Sequence, residues 1–139
     1  MRYSPTVVQP MREDLTRIGF EELLTPEAVD TALGAQQGSL LVVVNSVCGC
    51  SAGSARPGVG LALQHSSVPD RLVTVFAGME IEATDRARSY FEGYAPSSPQ
   101  IALLKDGRLV HMLERGDIEE HGADEVAASL TAAFDEHCR

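Results

Sequence analysis

Residues 39–46, SLLVVVNS, hold five consecutive aliphatic side chains between polar ends. A short β-branched run of this kind is typical of a strand that is buried on both faces. Because such a strand needs a layer of helices on each side, the run favours an α/β fold. A second run, RLVTVFA at 71–77, predicts another buried strand.

The remaining elements follow from turns, caps and periodicity. The pair Asp106-Gly107 stands between two apolar runs in residues 100–113, which predicts a β-hairpin. The pair TP at 25–26 is typical of an N-cap followed by a first helical residue. The residues up to about Val8 are expected to be extended. Helices are predicted within residues 9–19, 25–35, 51–65, 82–94 and 122–137.

The predicted order is helix, helix, strand, helix, strand, helix, two strands and helix. A parallel β-α-β unit followed by an antiparallel hairpin and a last helix gives a mixed central sheet flanked by helices on both faces. This α/β arrangement is thioredoxin-like. No repeat, low-complexity tract or long linker divides the chain, so residues 1–139 are predicted to form a single domain.

Composition and charge argue against several classes of function. The net charge is −9, from 20 acidic against 11 basic residues, so nucleic acid and anionic membranes are not expected as partners. The apolar runs are too short for a membrane span, and the N-terminus has no signal-peptide core. The expected location is therefore the cytoplasm. Because thiols are kept reduced there, a close cysteine pair is more typical of catalysis or metal binding than of a structural disulfide.

Cys48 and Cys50 stand one glycine apart in NSVCGC (45–50), after the first strand and before a helix. Reactive groups in open α/β sheets collect at the carboxyl ends of strands. A helix N-terminus carries partial positive charge and free N–H groups, which lower the pKa of a nearby thiol. Cys48 is expected to be the exposed nucleophile and Cys50 the more shielded partner. Gly49 lets the backbone turn tightly between them.

A second feature is Ser98-Pro99, which precedes the strand that begins at Gln100. In the thioredoxin-like arrangement, the proline at this place is cis and faces the active cysteine. Its loop offers backbone groups to an extended substrate. We therefore expect a cis Ser98–Pro99 bond close to Cys48.

Other residues near the pair have a candidate role either in binding or in structure. Asn45 and Ser46 are candidates to donate hydrogen bonds near Cys48, or to satisfy backbone groups at the strand end. Arg56 is a candidate to support a thiolate or a substrate carboxylate, although a structural role in the helix is favoured for it. Cys138 is expected to be a spectator thiol. The four histidines show no ligand or triad spacing, and no metal site is predicted.

Four segments, VVVNSVCGCSAGSARPG, VTVFAG, YFEGYAPSSP and LTAAFDEHC, resemble the bacilliredoxin family, and the resemblance covers nearly the whole chain. It implies a thioredoxin-like fold with a Cys-Gly-Cys active site, which Cys48, Gly49 and Cys50 match directly. It also implies removal of the small thiol bacillithiol from mixed disulfides on proteins. Thiol–disulfide isomerase activity is likewise ascribed to family members. Thioredoxins and glutaredoxins carry Cys-x-x-Cys instead, so strong general reductase activity is not expected.

Three functions fit these features. The first is a thiol–disulfide oxidoreductase in which Cys48 removes bacillithiol from proteins, with bacillithiol as co-substrate and no bound cofactor. The expected partners are then proteins carrying mixed disulfides with bacillithiol, and a low-molecular-weight thiol. The second is a protein disulfide isomerase or weak oxidoreductase that needs both Cys48 and Cys50. The third is a non-enzymatic redox-sensing or metal-binding module, in which Cys138 or a histidine completes the ligand set. Without a function, the pair would be small buried apolar residues.

Overall fold

The computed structural model describes residues 3–35 and 37–138, which form six α-helices and five strands in the part of the chain that it describes. The helices are α1 (Pro5–Thr16), α2 (Pro26–Leu33), α3 (Arg56–Ala62), α4 (Ile81–Arg88), α5 (Arg115–Glu119) and α6 (Ala123–His137). The strands are β1 (Glu21–Glu22), β2 (Ser39–Asn45), β3 (Arg71–Phe76), β4 (Gln100–Lys105) and β5 (Arg108–Leu113). A π-helical turn, Ser51–Ala55, leads directly into α3.

The five strands form one mixed sheet in the order β1-β3-β2-β4-β5. β1 and β2 run parallel to β3, β4 is antiparallel to β2, and β5 is antiparallel to β4. All seven residues of β2 are buried, which confirms the prediction of a strand covered on both faces. The predicted combination of a β-α-β unit with an antiparallel hairpin is therefore correct.

Alternate side chains of β2 supply two separate cores. Leu41 and Val43 pack in a cluster with residues of α3 and α6, whereas Val42 and Val44 pack in a cluster with residues of α2 and α4. Successive side chains of a strand point to opposite faces, so both kinds of position must be apolar when helices cover both faces. This double requirement explains the unbroken aliphatic run in the sequence.

Two local predictions are confirmed in detail. Asp106 and Gly107 connect β4 to β5 and have positive φ angles of 51° and 81°, as a two-residue type I′ hairpin turn requires. The Thr25 side chain caps α2 by accepting a hydrogen bond of 3.1 Å from the backbone N–H of Ala28.

Several boundaries differ from the prediction. The segment up to Val8 is not extended, because α1 begins at Pro5, whose fixed φ suits the first turn of a helix. The helix predicted over 82–94 spans only Ile81–Arg88 and is followed by a turn in which Gly93 has a φ of 87°. Strand β1 and helix α5 were not predicted, since elements of two and five residues are too short to show a periodicity.

Helices α3 and α6 approach each other closely at Gly58. A Cβ at this position would lie 2.6 Å from Cγ1 of Val126 and 3.1 Å from the carbonyl oxygen of Ala123. A helix interior disfavours glycine relative to alanine, so its presence here reflects the close contact. This contact fixes the position of α3 against the core. The π-helical turn Ser51–Ala55 connects α3 to the cysteine pair.

We predict that Gly58→Ala destabilises the protein by about 1–3 kcal/mol through overpacking of α3 against α6. Gly60→Ala, in the same helix, is the matched control, because a Cβ there would meet only Cδ1 of Ile18 at 4.0 Å. This control should be neutral or stabilising by up to about 1 kcal/mol through helix propensity. Urea unfolding of both variants measures the difference. Equal midpoints for the two variants would contradict the close packing at Gly58.

Candidate active site

Both predicted catalytic thiols lie at the carboxyl end of β2, just before the π-helical turn. The backbone N–H groups of Ser51 and Ala52 donate to the Cys48 carbonyl oxygen at 3.0 and 3.2 Å, so the helical turn begins at Cys48. The Sγ atoms of Cys48 and Cys50 are 2.7 Å apart, and both thiols are free and half-buried. The exposed Gly49 between them lets the two side chains face each other.

Asn45 and Ser46 organise the backbone that carries these thiols. The Ser46 hydroxyl accepts a hydrogen bond of 3.3 Å from the Cys48 backbone N–H. The Asn45 side-chain oxygen accepts from the Ser46 N–H at 2.9 Å and from the Ser51 hydroxyl at 3.1 Å. The Asn45 side-chain nitrogen donates to the Met11 carbonyl of α1 at 3.1 Å. The two residues therefore satisfy backbone and hydroxyl groups around the loop and do not donate to the Cys48 sulfur.

Arg56 is buried beneath the same loop, with only 5% of its side chain exposed. Its Nη1 donates to the Asn45 side-chain oxygen at 2.8 Å, the Ser46 carbonyl at 2.9 Å and the Ser51 hydroxyl at 3.1 Å. Its Nε donates to Asp14 of α1 at 3.0 Å. None of its hydrogen bonds in the described part of the chain reaches a cysteine. Arg56 thus supports the loop backbone, which agrees with the structural role favoured for it, and contacts neither thiolate.

Electrostatics separate the two thiols. The hydrogen bond from the Cys50 thiol is the largest influence that lowers the pKa of Cys48 below its ordinary value. Backbone N–H groups of Cys50 and Ser51 and the positive charge of Arg115 act in the same direction, whereas partial burial opposes them. Only the thiolate is nucleophilic, so Cys48 is the thiol prepared for attack.

Cys50 has the opposite character. Burial raises the pKa of Cys50 above its ordinary value, and the hydrogen bond to Cys48 and the charge of its thiolate add to the effect. The Cys50 side chain packs against the core cluster below α3 and α6. The two neighbouring thiols therefore differ in the direction of their pKa shifts.

The Cys48 thiol opens into a cleft of about 490 Å³. Ser98 lines the same cleft, and the Ser98–Pro99 peptide bond is cis, as predicted. The other residues that line it are Tyr3, Ser46, Val47, Ala77, Gly78, Arg88 and Arg115. The cleft thus joins the ends of three strands that are far apart in the sequence.

The two arginines of the cleft were missed by sequence reasoning. Arg115 is the first residue of the short helix α5, and it also pairs with Glu119 at 2.9 Å. Arg88 ends α4, and its Nη2 donates to the Ser97 carbonyl at 2.8 Å in the loop before the cis-proline. No local pattern distinguishes them from surface arginines. Both line the cleft because the sheet brings the ends of α4 and β5 beside the end of β2.

Cys138 is distant from the pair. It lies beside Ser39, at the opposite end of β2 from Asn45. Six residue steps along a strand correspond to about 20 Å, so Cys138 cannot reach Cys48 within one chain. The histidines contact other partners: His65 contacts Asp135, His111 contacts Ser129, His121 contacts Glu125, and His137 contacts Glu136.

Within residues 3–35 and 37–138, no group of three or more His, Cys, Asp or Glu side chains is arranged to hold a metal ion. No helix in the same ranges is both long enough and apolar enough to cross a lipid bilayer.

Solved structures with a similar fold include thioredoxins. A thioredoxin of Malassezia sympodialis matches with a TM-score of 0.53 and 15% identity, over 87% of this chain and 92% of its own. A mutant thioredoxin from Halobacterium salinarum NRC-1 matches with a TM-score of 0.58 and 16% identity, over 87% and 92%. At such low identity the likeness shows the fold alone, which is thioredoxin-like as predicted. This fold carries two free thiols at the point where a helix begins.

Sequence comparison gives the family. The family model described as disulphide isomerase matches residues 3–138, and the chain belongs to that family. A bacilliredoxin of Koribacter versatilis is 57% identical over 98% of this chain and 94% of its own length. Bacilliredoxins of Staphylococcus haemolyticus and Bacillus cereus are 51% and 53% identical, over 98% and 95% of this chain and 93% and 91% of their own lengths. The resemblance noted in the sequence is thereby confirmed.

We predict that Arg56→Ala lowers the free energy of unfolding by about 2–3 kcal/mol, because hydrogen bonds to a buried charged group are lost. Arg17→Ala is the matched control, since Arg17 pairs with the same Asp14 but is 69% exposed. Exposed pairs contribute little, so this control should change the free energy of unfolding by less than about 0.5 kcal/mol. Urea denaturation measures both, and equal effects would contradict the role given to Arg56.

We predict that Cys50→Ala slows alkylation of Cys48 at pH 7 by about three- to tenfold, because loss of the Cys50 hydrogen bond raises the Cys48 pKa. The pH at which the alkylation rate is half-maximal should move upward. Cys50→Ser retains a hydroxyl donor and should stay close to the wild-type rate. Peptide mapping after pulses of iodoacetamide measures Cys48 separately from Cys138. An unchanged rate in Cys50→Ala would show that another group stabilises the thiolate.

Proposed function

We propose that this chain removes bacillithiol from proteins that carry it in a mixed disulfide, and that Cys48 is the nucleophile. The observation that carries the proposal is the half-buried Cys48 thiol, which lines the cleft and has a lowered pKa beside Cys50, whose pKa is raised. The bacilliredoxin names of relatives more than 50% identical over nearly the full chain support the choice of substrate. A free thiol pair also suits the reducing cytoplasm, which we propose as the location.

The first step is a thiol–disulfide exchange. The Cys48 thiolate attacks the bacillithiol sulfur of the mixed disulfide, so the bond between the two substrate sulfurs breaks. The client protein leaves as a thiolate, and a Cys48–bacillithiol disulfide forms, with no net oxidation or reduction. Because the leaving group affects the rate, client thiols of lower pKa should be released faster.

The cleft supplies the groups around this step. Arg115 carries a positive charge beside both sulfurs and lowers the pKa of Cys48 and of Cys50. The loop at Ser98-Pro99 lines the cleft next to Cys48, where its backbone can pair with an extended client segment. Asn45, Ser46 and Arg56 position the backbone that carries the nucleophile and stay outside the exchange itself.

The second step regenerates Cys48. Attack by a second bacillithiol on the adduct releases bacillithiol disulfide and restores the Cys48 thiol. Alternatively, the Cys50 thiol, 2.7 Å away, loses its proton and attacks the Cys48 sulfur, which forms a Cys48–Cys50 disulfide and releases bacillithiol. That disulfide then needs an external dithiol reductant.

A second candidate function is protein disulfide isomerisation with both cysteines. Two observations favour it: the description of the matching family model, and the short distance from Cys50 to Cys48. Cys50 would displace a client that stays bound to Cys48 in an unproductive mixed disulfide. In this function Cys50 is required for turnover, whereas transfer of bacillithiol to Cys48 needs only one thiol.

We predict that a model protein carrying bacillithiol in a mixed disulfide transfers it to Cys48, and that Cys48→Ala abolishes the transfer. Cys50→Ala should retain the transfer and accumulate the Cys48–bacillithiol adduct, because the internal competing thiol is gone. Cys138→Ala, about 20 Å away, is the control and should behave as the wild type. Intact-protein mass spectrometry shows the adduct as a mass increase of one bacillithiol.

The two functions give different results in the same assay. If Cys50→Ala forms no adduct while the wild type rearranges disulfides of a denatured protein, isomerisation replaces removal of bacillithiol as the activity. If neither the wild type nor any variant exchanges disulfides, the chain is a non-enzymatic module.

A further inference from the structure

We propose that Arg88 makes the cleft selective for a small thiol that bears a carboxylate, and that Arg88 pairs with this carboxylate while the thiol is joined to Cys48. The inference rests on the proposed function, because it concerns the small thiol that Cys48 accepts. It identifies Arg88 as a residue that determines specificity, with Arg115 as a second cation on the same cleft. It also requires that the small thiol carry a negative charge.

Arg88 is a half-buried cation that forms no ion pair in the described ranges, although the charge of Asp85, three residues earlier in α4, acts on it from a greater distance. Within the described ranges no Asp or Glu oxygen lies within 4.0 Å of its guanidinium, although other arginines of the chain are paired in this way. Its Nη2 and Nε donate to the Ser97 carbonyl at 2.8 Å and to the Gln100 side-chain oxygen at 3.4 Å. In the same ranges its Nη1 donates to no protein acceptor, and the residue lines the cleft beside Cys48.

Burial of a charge is unfavourable, and burial lowers the pKa of the Arg88 guanidinium more than the charge of Asp85 raises it. An anion in the cleft would compensate the charge. A guanidinium fork matches a carboxylate in planar, charge-assisted hydrogen bonds, which a neutral ligand cannot form. The free Nη1 donors of Arg88 are available for such a pair without loss of its existing hydrogen bonds.

Arg115 adds a second guanidinium on the side of the thiols, where it also pairs with Glu119 at 2.9 Å. Its backbone N–H donates to the Ser97 hydroxyl at 3.4 Å, so both arginines contact the loop before the cis-proline. The chain has a net charge of −9 and therefore repels anions at long range. The cleft differs from the chain as a whole because two arginines line it. Because the cleft lies next to Cys48, its two arginines attract an anionic ligand at the place where that ligand exchanges with the Cys48 thiol.

The experiment measures disulfide exchange with three small probes of different charge. The probes are the symmetrical disulfide of mercaptosuccinate, bis(2-hydroxyethyl) disulfide and cystamine, which release an anionic, a neutral and a cationic thiol. In each reaction the Cys48 thiolate attacks one probe sulfur, the probe's S–S bond breaks, and one thiolate leaves. A Cys50→Ala background lets the adduct accumulate, and peptide mapping assigns it to Cys48.

Three substitutions are compared in this background. Arg88→Gln should lower the ratio of the mercaptosuccinate rate to the hydroxyethyl rate by about tenfold, because a charge-assisted hydrogen bond is lost. Arg88→Lys keeps the charge without the fork and should give an intermediate ratio. Arg86→Gln is the matched control on the same helix, since Arg86 pairs with Asp30 at 2.6 Å and does not line the cleft. This control should leave the ratio unchanged.

The ratio separates binding from structure. If Arg88→Gln slows all three probes equally, the residue only holds the Ser97 loop, and the inference is wrong. If Arg88→Gln does not fold, an Arg88→Lys ratio equal to that of the parent overturns the inference in the same way. If the parent forms no adduct with any probe, the proposed function fails first. A preference for the anionic probe that weakens at high salt in the parent, but not in Arg88→Gln, supports the carboxylate pair.

Discussion

The buried guanidinium of Arg56 is the contact on which the geometry of the site depends. It joins the end of β2, through Asn45 and Ser46, to the start of the helical segment at Ser51 and to Asp14 of α1. Each polar group at this junction thereby has a partner away from water, where an unpaired group would be costly. The backbone of the thiol loop is fixed from below, so the sulfur atoms above it remain available for exchange.

The two cysteines differ because their surroundings differ, although they are only two residues apart. Cys48 accepts hydrogen bonds and lies near the positive charge of Arg115. Cys50 packs against the core and donates the hydrogen bond between the two sulfur atoms. A thiol of lowered pKa next to a thiol of raised pKa suits exchange with disulfides, since the first favours the nucleophilic thiolate. The helix terminus contributes through the N–H groups of Cys50 and Ser51, but the neighbouring thiol has the larger effect on Cys48.

Sequence reasoning succeeded where the signal was local. The aliphatic run before Asn45 and the hairpin at Asp106-Gly107 depend on residues adjacent in the chain, whereas the cis bond at Pro99 was predicted from its place in the thioredoxin-like topology. It failed for short elements and for groups brought together by the fold. Arg88 and Arg115 reach the cleft from the end of α4 and the start of α5, and nothing in their own neighbourhoods indicates the thiols. A structural role was favoured for Arg56 from the sequence, but the partners of its side chain are visible only in the structure.

The most direct test of this account is an NMR titration of the reduced wild-type protein with cysteines labelled at ¹³Cβ, since it follows each thiol without a variant or a reagent. The account predicts that Cys48 ionises first, at a pKa below that of a free cysteine of about 8.5, and that Cys50 ionises at higher pH. Assignment of the two resonances identifies which thiol carries the charge near neutral pH. If Cys50 ionises first, or if both titrate together at the free value, Cys48 is not the prepared nucleophile and the proposed mechanism is wrong.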